Sequence, residues 1–70
     1  MKLSARNQLK GKVVEIEEGA VNAIIKLDIG GGNIISSTIS MDSVKSLNIK
    51  VGSEAYAVIK STSVMIGVDH

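Results

Sequence analysis

Apolar and polar residues alternate with a period of two along most of the chain, and this predicts short strands rather than helices. The first strand, Leu9 to Glu17, changes hand midway. Leu9, Gly11 and Val13 share one face with Lys10 and Lys12 on the other, whereas Val14 and Ile16 alternate with Glu15 and Glu17. A flat strand cannot keep one apolar face through both halves. A bulge or bend near Val13 and Val14, or passage between two sheets of a barrel, reconciles them. The clearest strand follows, with Val21, Ala23, Ile25, Leu27 and Ile29 opposed to Asn22, Ile24, Lys26 and Asp28. A third strand is predicted over Ile34 to Ile39, a fourth over Glu54 to Lys60 and a fifth over Val64 to Val68.

The punctuation between these runs supplies the connections. Glu17-Glu18-Gly19-Ala20 and Lys50-Val51-Gly52-Ser53 read as turns, and Gly30-Gly31-Gly32-Asn33 as a hairpin. The triple glycine is not a phosphate-cradling loop, because no Lys-Ser/Thr pair follows and a strand, not a helix, comes next. Ser40 to Leu47 is the exception to the strand period. Ser40 can cap a helix, Asp42 favours its first turn, and Val44 and Leu47 give one apolar edge. One or two helical turns that plug an opening are predicted. Three strands, a short helix and two strands is the order of an all-β, five-stranded OB-like barrel, which closes to remove its edges.

Composition sharpens the picture at two points. Val and Ile number 18 against 4 Leu, which favours a pleated, β-branched fold. Seventy residues bury only about 60% of the surface of the unfolded chain, so extra stabilisation is needed. There is no Cys for disulfides, and a single His makes a structural zinc site a poor fit. Oligomerisation remains. Apolar residues on both parities agree with it: Ile34 opposes Ile35 and Ile39, and Tyr56 and Val58 oppose Ala55, Ala57 and Ile59. The outside of the barrel is therefore expected to be covered by another subunit.

Charge and chemistry exclude most function classes. With no Cys and the only His at position 70, the usual nucleophile–base pairs are missing, so no catalysis is expected. Glu15, Glu17 and Glu18 read as a charged strand edge. A nucleic-acid-binding OB module is the alternative reading, but it needs aromatic platforms and a basic groove. Tyr56 is the sole aromatic and the net charge is +1. No run approaches a membrane span, and residues 1–8 lack a signal-peptide pattern, so a cytoplasmic location is expected.

Two polar segments stand out. Ser4-Ala5-Arg6-Asn7-Gln8 precedes the first strand, and Lys60-Ser61-Thr62-Ser63 ends the fourth. Cations, hydroxyls and the N–H groups freed at strand ends form a donor-only set suited to a tetrahedral oxyanion. A polar tail and an ordinary serine-rich turn are the plainer reading, and composition alone leaves both open.

The same segments resemble a known family. Ser4-Ala5-Arg6-Asn7-Gln8-Leu9-Lys10-Gly11 is similar to the opening of the molbindins, small molybdate-binding proteins of the TOBE/Mop type. Thr38-Ile39-Ser40-Met41-Asp42-Ser43-Val44 is similar to their mid-chain signature, and the run from Ala57 to Ile66 to their closing one. The resemblance covers nearly the whole chain, in matching order. It implies a single Mop domain over residues 1–70, with residues 67–70 a loose tail. It also implies a homohexamer, arranged as a trimer of dimers, that stores or buffers molybdate or tungstate between subunits. Carried over by motif, Ser4, Ala5 and Arg6 form the N-terminal part of the anion site, and Lys60 and Ser61 the part supplied by a neighbouring subunit. Asn7 and Thr38 are further candidates. No side chain is expected to ligate the metal, which is held as its oxyanion. Neither nucleic acid nor membrane is an expected partner, and nothing in the sequence supports a pterin pocket.

Overall fold

The change of face in the first strand is a β-bulge. In the computed structural model, which describes Met1 to His70, β1 (Asn7–Glu18) pairs antiparallel with β2 (Asn22–Gly30). Val13 lies opposite Leu27 and Glu15 opposite Lys26, which leaves Val14 as the extra residue. The bulge turns Val13 fully inward while Val14 stays 42% exposed. It also bends β1 so that each half serves a different neighbour. The first half pairs with β4 (Glu54–Ile59), from Asn7 opposite Ile59 to Lys12 opposite Glu54. Past Glu54 the ladder continues through Val13, whose N–H donates to Ser53 O at 2.9 Å and whose carbonyl accepts from Gly52 N–H at 2.7 Å. Where the two halves meet, a Cβ on Gly11 would lie 2.5 Å from the carbonyl oxygen of Asp28 and 2.9 Å from Leu27 Cγ. Only a glycine lets the backbones approach this closely.

The hairpin from β2 to β3 (Asn33–Ser40) follows the predicted pattern. Gly30 pairs with Asn33, so Gly31 and Gly32 form the two-residue loop, at φ +62° and +80°. Two positive φ values are what a type I′ turn requires. Asp28 and Asn33 brace it: Gly30 N–H donates to Asp28 Oδ1 at 2.8 Å, and Asn33 Nδ2 donates to Gly30 O at 3.2 Å.

The predicted helix is α1 (Met41–Ser46). Ser40 caps it as expected, its Oγ accepting from Ser43 N–H at 3.0 Å. It ends in a Schellman motif. Asn48 takes φ +53°, its N–H donates to Lys45 O, and Ile49 N–H donates to Val44 O. Val44 is thereby turned into the core, with Val13, Ala23, Ile25 and Leu27.

One element departs from the sequence reading. The sheet has four strands in the order β3-β2-β1-β4, and Val64–Val68 is not a fifth. After β4 the chain makes one 3₁₀ turn, Ser61–Ser63, and then pairs with no strand, leaving Met65 92% and Ile66 90% exposed. A strand exists only where a neighbour accepts its backbone hydrogen bonds, and this segment meets neither free edge of its own sheet. The barrel is accordingly an open, curled sheet. The accessible surface is 5495 Å², against about 4,200 Å² for a compact monomer of this mass. Of 70 residues only five are buried.

Gly11→Ala tests the crossing. The added methyl has to displace backbone, so a loss of about 1–3 kcal/mol is expected, read as a lower urea midpoint with an unchanged slope. An unaltered midpoint would show that the crossing is not tight.

Candidate functional site

Antiparallel pairing of β1 with β4 decides what lies at one end of the sheet. Asn7 starts β1 and Ile59 ends β4, directly opposite each other. Asn7 Nδ2 donates to Ile59 O at 3.2 Å and pins the two ends together. The residues just before Asn7 and just after Ile59 must therefore be neighbours. Ser4, Ala5, Arg6, Lys60, Ser61 and Thr62 line one open cleft of about 210 Å³. The N-terminal wall is shaped by Gln8, whose Nε2 donates to Ala5 O at 3.1 Å. The other wall is the 3₁₀ turn, held by Ser63 N–H donating to Lys60 O at 2.9 Å. In such a turn the first N–H groups, those of Ser61 and Thr62, have no carbonyl partner within it.

The electrostatics of the cleft are one-sided. Arg6 and Lys60 both line it, and no carboxylate does. The ion pairs of the chain are elsewhere: Lys10 with Glu54 at 3.4 Å, and Lys26 with Glu15 at 3.6 Å and Glu17 at 3.9 Å. Two uncompensated cations beside three hydroxyls make a set of groups chemically suited to an anion rich in acceptors. The same pairs give Glu15 and Glu17 a structural role on the outer sheet face. No group of three or more His, Cys, Asp or Glu residues comes together to ligate a metal ion directly.

Five of the seven residues singled out in the sequence meet in this cleft: Ser4, Ala5, Arg6, Lys60 and Ser61. The resemblance assigns Lys60 and Ser61 to a neighbouring subunit, yet within one chain they already lie beside residues 4–6. Asn7 stands next to the cleft and holds its base. Thr38 lies on β3 opposite Ile24, which in turn lies opposite Glu17, at the far end of β1. It takes no part in the cleft of its own chain. Thr62 was not among the predicted residues. Its signal was present as the middle hydroxyl of Ser61-Thr62-Ser63. A second concavity, of about 290 Å³, is apolar and lies between β3 and β4.

Comparison with known proteins places this geometry in context. The TOBE domain model matches residues 3–66. A probable molybdenum-pterin-binding protein from Haemophilus influenzae is 70% identical over 69 residues, which span 99% of this chain and 100% of that protein. A molybdate binding protein from Sporomusa ovata shares the fold with a TM-score of 0.90 at 35% identity, over 97% of this chain and 100% of that one. The cytoplasmic molybdate-binding protein ModG, solved with molybdate bound, matches with a TM-score of 0.92 at 46% identity, over 99% of this chain and 49% of that one.

The Asn7 bond can be tested alone. Asn7→Ala removes one side-chain hydrogen bond between the walls and should cost about 0.5–1.5 kcal/mol, measured by urea unfolding. No change in stability would mean that the amide does not hold the two strand ends together.

Proposed function

The chain belongs to the TOBE domain family and, within it, to the molybdenum-pterin-binding proteins, and on this premise we propose that it binds molybdate as the intact oxyanion in the cleft between residues 4–6 and 60–62. The observation that carries this reading is the pair of unpaired cations, Arg6 and Lys60, set among hydroxyls with no carboxylate in reach. Molybdate is a dianion with four acceptor oxygens, and the cleft is rich in donors. Ser4, Ser61 and Thr62 donate through their hydroxyls, and the N–H groups at Ala5 and at the start of the 3₁₀ turn add directional donors. Lys60 and Arg6 supply charge, without which taking a dianion out of water is costly. Tungstate has the same shape and charge and fits the same description. No aromatic side chain lines the cleft, so it offers a pterin ring nothing to stack on.

The cleft of one chain is open, and an open cleft holds an anion weakly against water. We place its remaining wall on a neighbouring subunit, with Thr38 of a second copy a candidate contributor. The assembly proposed is a homohexamer built as a trimer of dimers. The protomer supports this by exposing about 1,300 Å² more than a compact monomer of its mass, more than the roughly 800 Å² that a standard interface covers per partner. Anion bound only by the assembled form stabilises the assembly by mass action. The cellular role proposed is cytoplasmic storage or buffering without catalysis. A rigid cavity selects by size against sulfate. Protonated phosphate brings a donor for which Arg6, Lys60 and the N–H groups of the cleft offer no acceptor.

The nucleic-acid reading finds little in the geometry. Tyr56 is a lone aromatic, and Lys10 and Lys26 on the strands are already paired with glutamates.

Isothermal titration with Lys60→Ala and Ser61→Ala, made separately, tests the site. Loss of a charge-assisted donor is worth about 1.5–3 kcal/mol, so each variant should bind molybdate at least tenfold more weakly. Unchanged affinity in both would contradict the assignment. A second titration, of sulfate against molybdate, should show sulfate competing poorly. Equal affinity would contradict a selective store, and tight binding of a DNA or RNA oligonucleotide with no response to molybdate would favour the nucleic-acid reading.

A further inference from the structure

Several backbone carbonyls that border the polar cleft are already engaged, and one of them is held by an exposed side chain. We propose that Gln8 is a positioning residue of the anion site. By holding the Ala5 carbonyl outside the cleft it turns the Arg6 N–H into it, and so favours oxyanions that carry no proton. This rests on the reading of the cleft as an oxyanion site.

Gln8 Nε2 donates to Ala5 O at 3.1 Å. Ala5 lines the cleft and Gln8 does not, so the bond draws this carbonyl away from the cleft. The Ala5–Arg6 peptide is trans. In a trans peptide the carbonyl and the following N–H point in opposite directions. Fixing one therefore aims the other, and the Arg6 N–H faces the cleft. It is available there, because none of the backbone hydrogen bonds of turns, loops and caps is donated by residues 4–6 or 60–62.

The opposite wall is built in the same way. Ile59 O accepts from Asn7 Nδ2 at 3.2 Å, Lys60 O from Ser63 N–H at 2.9 Å and Ser61 O from Val64 N–H at 3.3 Å. Each of these carbonyls is directed at a donor of the fold rather than at a ligand. These three bonds belong to features the fold needs in any case, the join of β1 to β4 and the 3₁₀ turn. The Gln8 bond is different. It is exposed, spans three residues and links no two elements, and water would satisfy an exposed amide almost as well. Its effect falls on the peptide that it orients.

A cleft whose walls turn carbonyls outward discriminates by protonation. Near neutral pH molybdate and sulfate are dianions without a proton, whereas phosphate keeps at least one O–H, which needs an acceptor. A free Ala5 carbonyl would supply it. Without the Gln8 tether the Ala5–Arg6 peptide can rotate, exchanging a donor for an acceptor at the same place.

Gln8→Met keeps the length of the side chain and deletes the donor. Wild type and variant are titrated with molybdate at neutral pH, alone and in competition with sulfate or phosphate, and urea unfolding without anion checks that the variant folds. The variant is expected to bind molybdate about two- to tenfold more weakly, the loss of one hydrogen bond. Sulfate should compete against molybdate as it does in the wild type, and phosphate should compete better. A merely structural residue would loosen all three anions alike, so phosphate that competes no better in the variant overturns the role of Gln8. A second measurement needs no variant. In isotope-labelled wild type, the Arg6 amide proton should move downfield on addition of molybdate, and an amide that stays in place while the chain binds molybdate overturns the orientation proposed. A wild type that does not bind molybdate overturns the cleft reading itself, and this inference with it.

Discussion

The antiparallel ladder between β1 and β4 is the interaction on which the rest of the molecule depends. It joins residues 52 positions apart and brings both ends of the barrel segment together. The polar cleft exists because residues 4–6 and 60–62 are the overhangs of that ladder. The exit point of the C-terminal segment is fixed by the same strand end. The bulge at Val14 and the close crossing at Gly11 serve this ladder, since β1 can pair with β4 and then β2 only if it bends sharply between them.

A chain of this size cannot also close and bury itself. Four strands curl round five buried residues and stop short of closure, leaving apolar surface inside the gap and outside the sheet. Tyr56 and Val58 face outward on the strand whose inner face carries Ala55, Ala57 and Ile59. Such a protomer is best understood as a part. In the assembly proposed, its missing core and the missing wall of the proposed anion cleft have the same remedy, which is another copy of itself. In that proposal, filling the site and holding the assembly together become one event.

What could be read from the sequence was what is decided locally. The switch of parity at Val13 and Val14 announced the bulge, three consecutive glycines announced a turn with positive φ, and Ser40 announced the helix cap. Asn48 also carried a signal, as a residue that tolerates the left-handed conformation just past a helix, and it was passed over. Pairing partners are a different matter. Val64–Val68 has the pattern of a strand, but the pattern cannot say which edge receives it, and the segment finds none in its own chain. For the same reason no local pattern indicates that Ser4–Arg6 and Lys60–Ser61 meet within one chain. Only the β1–β4 register does that. Thr62 was overlooked because the family motif drew attention to the two residues before it. Thr38 belongs to the mid-chain signature, and the register places it at the other end of the sheet.

Native mass spectrometry of the 70-residue chain, with and without molybdate, bears most directly on the account. The result expected is a homo-oligomer of even subunit number, a hexamer in the assembly proposed, with added mass from bound molybdate on the oligomer and none on residual monomer. A chain that stays monomeric at all concentrations, or an oligomer that gains no mass from the anion, would contradict it.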